Sequence, residues 1–309
     1  MRFGHSPNDL THIAPYGRNI SYTGTLGEIM LKPFLANKVM KKESLPQLWE
    51  ITLQFLYDKQ YIESLVAFLR GRQIQSILDC ACGTGFPAIE LKKAGFDLYC
   101  TDGSEAMIRQ FRHNLEKEKL DIPNQVSDWP NLGKLDRKFD AVLCRGNSFI
   151  YVDSWDEGIK LNPQNFLSRG RAALQGMYSV LNEGGLLYID IPSKKEYESG
   201  PVLDENLGKR LVNGQMTKLA WHVTHDWDKR VRVVHSERLV DNEKFEHDYC
   251  SFLLKHEELQ LLLKQVGFDK VSPLILEGEN GYDIYVAERL GSSITSPNSV
   301  YEVQEKVRK

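Results

Sequence analysis

Long apolar runs are missing from this 309-residue sequence. None approaches the roughly 20 residues that a helix needs to cross a bilayer, so no membrane segment is expected. The opening "MRFGHSPNDL" lacks the apolar core of a secretory leader. Cysteine is scarce and odd in number, with five in the chain. That argues against a disulfide framework and for free thiols in a reducing compartment, taken as the cytoplasm. Excess positive charge is lacking too: 39 Lys and Arg stand against 42 Asp and Glu, a net charge of -3. Nothing global therefore favours nucleic acid or an anionic membrane as a partner. Internal repeats are also absent.

What is present is ordinary for a globular protein, 41% hydrophobic and 26% charged, and long enough for one large α/β domain with an insertion. The first 45 residues are irregular, with Pro15 and Pro33 among aromatics that include Tyr16 and Tyr22, and are read as a lid or arm. From 46 to 69 apolar residues recur at helical spacing, and one helix is expected. Strands and helices then alternate to residue 192: strands at 76–80, 97–101, 139–144 and 186–191, a weak one near Gln125, and helices at 85–94, 104–119 and 165–181. This βαβα rhythm predicts a mainly parallel, Rossmann-like α/β sheet with helices on both faces. Between 193 and 255, "LAWHVTHDW", "RVRVVHSERLV" and "HDYCSFLL" alternate with period two, as an antiparallel β insertion after strand five would. A helix in "KHEELQLLLKQVGF" and two strands return the chain to the core over 256–290, and 291–309 is a polar tail.

The stretch "LDCACGTGF" at 78–86 carries the chemistry. A zinc site would need a second ligand pair at the right spacing, and redox motifs use C-x-x-C. Strand alternation would place Cys80 and Cys82 on one face; both read as small buried residues, and no metal is expected. A phosphate loop would continue Gly-Lys-Ser/Thr, but Gly85 is followed by Phe86 and Pro87. What remains is a strand, Asp79, a Gly83-Thr84-Gly85 turn, a helix, and Asp102 closing the next strand. That spacing suits a ribose diol held by a carboxylate, with glycines letting a ligand pass close over the backbone.

"ILDCACGTGFPAIELKKAGFDLYCTDGSEAMI" resembles the first two motifs of the class I S-adenosylmethionine-dependent methyltransferases. "FDAVLCRGNSF", "VLNEGGLLYIDIP" and "KHEELQLLLKQVGF" resemble that family's later signatures, in order. The resemblance is strongest to the glycine and glycine/sarcosine N-methyltransferases, through the "CxGNSFxH"-like segment 144–151 and the Asp128-Trp129 pair. It implies S-adenosylmethionine as cofactor, S-adenosylhomocysteine as product and a small-molecule methyl acceptor as partner. It also implies cofactor contacts from Asp79, Ala81, Gly83, Thr84 and Gly85, from Asp102, Gly103 and Met107, and from Ser127, Asp128 and Trp129, with Tyr57 and Arg145 on the carboxylate side. Acceptor contacts are expected from Tyr22, Trp49, Arg145, Asn147 and Tyr151, with Asn147, Tyr151 and Arg145 closest to the chemistry.

Three departures bear on the acceptor. The relatives carry an arginine soon after the strand-five aspartate, where it holds a substrate carboxylate; here Asp190 is followed by Ile191-Pro192-Ser193. Arg145 replaces an apolar residue, and Tyr151 replaces a histidine. Neither free glycine nor sarcosine is therefore the expected acceptor. An amine nitrogen leads, with small-molecule O-methylation and a non-catalytic cofactor-binding protein as alternatives. His222 and His225 should lie on opposite faces of one strand. The assembly, including a homo-oligomer, stays open.

Overall fold

The computed structural model describes residues 45–57, 59–154, 161–241 and 243–290. The expectations for Tyr16, Tyr22 and the two terminal segments fall outside these residues. Four parallel strands run through the centre of the main sheet: β1 (Ser76–Asp79), β2 (Asp97–Asp102), β4 (Phe139–Cys144) and β5 (Leu181–Pro192). The short β3 (Asn124–Val126) extends it in parallel beyond β2, while β11 (Tyr282–Arg289) and β10 (Phe268–Leu274) close the other side as an antiparallel pair. The spatial order is β10-β11-β5-β4-β1-β2-β3. The chain winds outward from β1 to β3, then returns to β4 on the other flank of β1. That reversal opens a crevice at the carboxyl ends of β1 and β4, the place where open α/β sheets hold ligands.

Both faces of the sheet are covered, so its central strands read as nearly continuous apolar runs. Leu78, Val142, Leu187 and Ile189 pack on one face beneath α5 (Phe166–Ser179) and α7 (His256–Val266). Ile77, Leu98, Ala141 and Leu143 pack on the other beneath α2 (Lys59–Gly71), α3 (Ala88–Lys93) and α4 (Glu105–Glu118). In α4 the buried Ile108, Phe111 and Leu115 mark the apolar stripe, and Ser104 caps its start by accepting from Met107 N at 3.4 Å. Gly267, at φ 108°, ends α7 in the left-handed region.

The insertion is a four-stranded antiparallel sheet, β6 (Val202–Val212), β7 (Gln215–Asp226), β8 (Val231–Val240) and β9 (Glu243–Phe252). A short helix, α6 (Lys194–Glu198), leads into it. Leu219, Trp221, Val223 and His225 of β7 are buried, while His222 faces outward, as the period of two requires.

Four local expectations are corrected. The single helix over 46–69 is two, α1 (Leu45–Leu56) and α2. They serve different partners: Ile51 and Phe55 of α1 pack on Val212 and Leu219 of the insertion, whereas Tyr61, Leu65 and Leu69 of α2 pack on the main sheet. The helix over 165–181 ends at Ser179, and the "NEGG" segment lies inside β5, where a register shift against β4 absorbs it. Cys80 and Cys82 pack on opposite faces of the sheet, because β1 ends at Asp79 and alternation stops there. β6 was not marked by the sequence pattern: its "VLDENLGKRLV" is largely exposed and polar, as suits an edge strand.

Candidate active site

The turn after β1 is built on two glycines with positive φ, Gly83 at 52° and Gly85 at 115°. At Gly85 a Cβ would come within 2.5 Å of the Phe111 ring, so packing from α4 also requires glycine there. Asp102, at the end of β2, ties this turn to the start of α4. Its Oδ2 accepts from Gly83 N at 2.9 Å and its Oδ1 from Ser104 N at 2.8 Å. Burial pushes this carboxyl up to about 6, against the pull of those two N–H groups. Asp79 is fully buried; its Oδ1 accepts from Ala81 N at 3.2 Å, and its Oδ2 has no partner. Burial pushes it up to about 7 although Arg145 acts in the opposite sense.

The turn after β4 repeats this design. Gly146 and Asn147 both have positive φ, 70° and 61°. Their N–H groups donate to the two oxygens of Asp190 on β5, at 3.0 and 2.6 Å. Asp190 is fully buried, and burial raises it to about 6. Arg145 lies between the two turns and is 3% exposed. Its guanidinium stacks on Tyr57, Tyr61 and Phe86, with Cζ 4.6, 5.2 and 5.1 Å from the ring centroids. Nε donates to Tyr61 Oη at 3.0 Å and Nη1 to the Phe86 carbonyl at 3.2 Å, leaving Nη2 without a partner. Trp49 of α1 lies across both turns: its indole is 3.2 Å from a Cβ built on Gly83 and 3.5 Å from one built on Gly146.

A second polar cluster sits against the insertion. Glu196 of α6 accepts from Arg232 Nε at 2.6 Å and Nη2 at 3.0 Å, and pairs with His225 Nε2 at 3.0 Å. Burial alone would raise Glu196, but His225 and Arg232 overcome it and hold the carboxyl at about 2. On the outer face of the same sheet, His235, Glu237 and Glu246 bring ligand-type atoms within 4.8 Å of one another. Lys244 Nζ lies 2.7 Å from Glu237 and 2.5 Å from Glu246, so both carboxylates already have a cation.

The residues expected from the sequence do not all meet. Asp79, Gly83, Thr84, Asp102, Trp49, Tyr57, Arg145 and Asn147 gather around the two turns, with Ala81 and Gly85 completing the first. Gly103 and Met107 open α4 beside them; Ser127 follows β3, its N–H donating to the Asp102 carbonyl at 3.0 Å. Asp128 is exposed, and Trp129 is anchored by its Nε1 donating to the Cys80 carbonyl at 2.7 Å. Tyr151 ends the short helical turn that follows Asn147 and has its ring 6.2 Å from Tyr249 of the insertion. Tyr61 and Phe86, which hold Arg145, were not among the site residues expected from the sequence. Glu279, in the β10–β11 loop, carried no motif; its Oε2 is buried without a partner.

Residues 77–161 match the family described as "Methyltransferase domain". A glycine/sarcosine N-methyltransferase of Parasynechococcus marenigrum (strain WH8102) is 36% identical over 211 residues, 67% of each chain. That of Aphanothece halophytica is 28% identical over 215 residues, 68% of this chain and 72% of its own. A solved structure of an amino pentose methyltransferase from Micromonospora echinaspora superposes with a TM-score of 0.61 at 20% identity, over 80% of this chain and 99% of that one, and shows the common fold. The chain therefore belongs to the class I S-adenosylmethionine-dependent methyltransferases, in the family that includes the glycine/sarcosine N-methyltransferases.

Proposed function

We propose that this methyltransferase moves a methyl group to the nitrogen of a small-molecule amine. The observation that carries the reading is a set of buried polar atoms without partners among the described residues, at the sheet's switch point: Asp79 Oδ2, Arg145 Nη2, Asn147 Oδ1 and Tyr57 Oη. Buried polar atoms are ordinarily hydrogen-bonded, so such a set fits a polar ligand. S-adenosylmethionine bound there supplies a methyl on positively charged sulfur, open to in-line displacement.

Asp79 and the Gly83–Gly85 turn would hold the cofactor's amino-acid end, and Asp102 its ribose. Each Asp102 oxygen accepts one backbone N–H and keeps a lone pair for a hydroxyl. Trp129 has spent its N–H on Cys80, so only its ring is left for adenine. Trp49 covers the turns and would exclude water. Asn147, with its Oδ1 free, would accept from the acceptor's N–H. Alignment of donor and acceptor alone can lower a barrier by about 7–11 kcal/mol.

An acceptor without a carboxylate is favoured. The segment after Asp190 brings Glu196 rather than an arginine, and that glutamate neutralises the buried Arg232 of the insertion, while the free Nη2 of Arg145 would serve the cofactor's own carboxylate. The test is calorimetry with S-adenosylmethionine, followed by homocysteine release across amines, amino acids including glycine and sarcosine, and phenols. Binding together with turnover of amines is expected. Absence of cofactor binding, or turnover confined to phenols, overturns the proposal.

A further inference from the structure

Glu279 lies three residues before the start of β11, and Tyr282 at that start is in register with Pro192 at the end of β5. It is therefore placed at the carboxyl edge of the sheet on the β5–β11 side. The residues proposed for the cofactor lie on the other side: Asp79 closes β1, Asp102 closes β2, and Trp129 follows β3. Arg145, from the end of β4, stands between the two halves.

Glu279 Oε1 accepts from Gly281 N at 3.2 Å, which fixes the carboxyl group. Oε2 is sealed from solvent and has no hydrogen-bond partner among the described residues. The neighbouring carboxylate, Asp190, has both oxygens occupied by Gly146 and Asn147. Arg145 donates to Tyr61 and Phe86 and makes no ion pair with Glu279 among the described residues, although its charge acts on that carboxyl. Burial, reinforced by Asp190, raises the Glu279 carboxyl to about 7, although Arg145 and the backbone N–H groups of Gly281 and Tyr282 act in the opposite sense. A buried carboxylate with no paired cation is unfavourable. A cationic ligand removes that penalty. The buried hydroxyls of Tyr57 and Tyr282 lie within the field of the Glu279 carboxylate, which adds to the rise that burial causes in both.

We propose that Glu279 is the acceptor-binding residue that selects a positively charged amine, its Oε2 receiving the ammonium N–H. This rests on the amine reading above and deepens it: the acceptor enters the β5–β11 half of the crevice as an ammonium and gives one proton to Glu279 Oε2, so that its nitrogen regains a lone pair before it displaces the methyl from the sulfonium.

The test uses the full chain, native and Glu279→Gln, with a panel of primary amines and the alcohols of the same shape, such as benzylamine with benzyl alcohol and tyramine with tyrosol. Affinity for S-adenosylhomocysteine and for each amine by the product-loaded protein is measured by calorimetry, and KM by homocysteine release. Loss of a hydrogen bond between charged partners predicts amine affinity lower, and KM higher, by about ten- to a hundredfold in Glu279→Gln. Affinity for S-adenosylhomocysteine should stay within about twofold on the same scale. Glu279→Asp, which keeps the charge, should retain part of the preference for amine over alcohol and guards against misfolding of the glutamine variant. Amines turned over by native and Glu279→Gln protein with equal KM overturn this inference and leave the amine reading standing. Turnover of the alcohols or phenols alone overturns both. Should nothing in the panel turn over, calorimetry decides: a native protein that binds no amine more tightly than its alcohol overturns the inference. A large loss of S-adenosylhomocysteine affinity in Glu279→Gln, with amine binding intact, assigns Glu279 to the cofactor and overturns it as well.

Discussion

Replacing Asp102 by asparagine changes almost no volume but removes one charge from the joint between the glycine turn and α4. The carboxylate accepts from Gly83 N at 2.9 Å and from Ser104 N at 2.8 Å. An amide has one carbonyl oxygen, so it can serve only one of these donors; its NH2 must face the other. A stranded buried donor costs about 1–3 kcal/mol. Relief of the burial that pushes this carboxyl up to about 6 offsets part of that cost. The thermal midpoint should therefore fall modestly. Cofactor affinity should fall further, because the ribose would lose a charged acceptor: about ten- to a hundredfold, equivalent to about 1.4–2.8 kcal/mol. Thermal melts and calorimetry with S-adenosylmethionine, run on the same preparation, separate the two effects. Native affinity in the variant would refute the ribose assignment. A lowered midpoint with unchanged affinity would reduce Asp102 to a brace for the turn.

Four other outcomes are expected. Gly176→Ala should destabilise the fold by about 1–3 kcal/mol or more, since its Cβ would lie 1.9 Å from the Trp129 carbonyl oxygen; a midpoint equal to native in a thermal melt counts against the α5 packing described here. Arg145→Leu should cost about 1–3 kcal/mol and impair turnover, because the Tyr61 hydroxyl and the Phe86 carbonyl lose a donor and Asp79 and Asp190 lose the charge that pulls their carboxyls down; urea titration with homocysteine release measures both. Asp79 and Glu279, raised to about 7, and Asp102 and Asp190, raised to about 6, bind protons more readily folded than unfolded. Stability of the ligand-free protein should therefore fall as pH climbs from about 4 to about 7, while Glu196, held at about 2, protects it until more acid conditions. His256, lowered by burial, opposes this as a single group, so a midpoint higher at pH 7.5 than at pH 5 would show the sign to be wrong. Turnover should survive chelation, and elemental analysis should find no stoichiometric metal, because Lys244 already neutralises Glu237 and Glu246; activity lost to chelator and restored by a divalent ion would contradict this.

The local sequence determined a good deal. Alternating apolar runs and helical stripes marked the main α/β elements, since a strand covered on both faces and a helix covered on one leave different periods in the chain. The Asp79, Gly83–Gly85 and Asp102 pattern was legible because a tight turn and a close backbone approach demand glycine, and a carboxylate must close the neighbouring strand at a fixed distance. Tertiary structure alone decided how charge is arranged around that turn. Arg145 read as an odd substitution; only the fold buries it among Tyr57, Tyr61 and Phe86, residues separated from it by 59 to 88 positions, and gives Asp79 and Asp190 a shared cation. Tyr151 followed Asn147 closely in sequence, yet the turn after β4 directs it to Tyr249 of the insertion. Cys80 and Cys82 parted because alternation ends with the strand's hydrogen bonds. Glu279 had no local signature at all. Its environment is made by Asp190, Tyr57 and Arg145, which only the sheet order brings near it, and burial without a partner is a property of that arrangement, not of the glutamate.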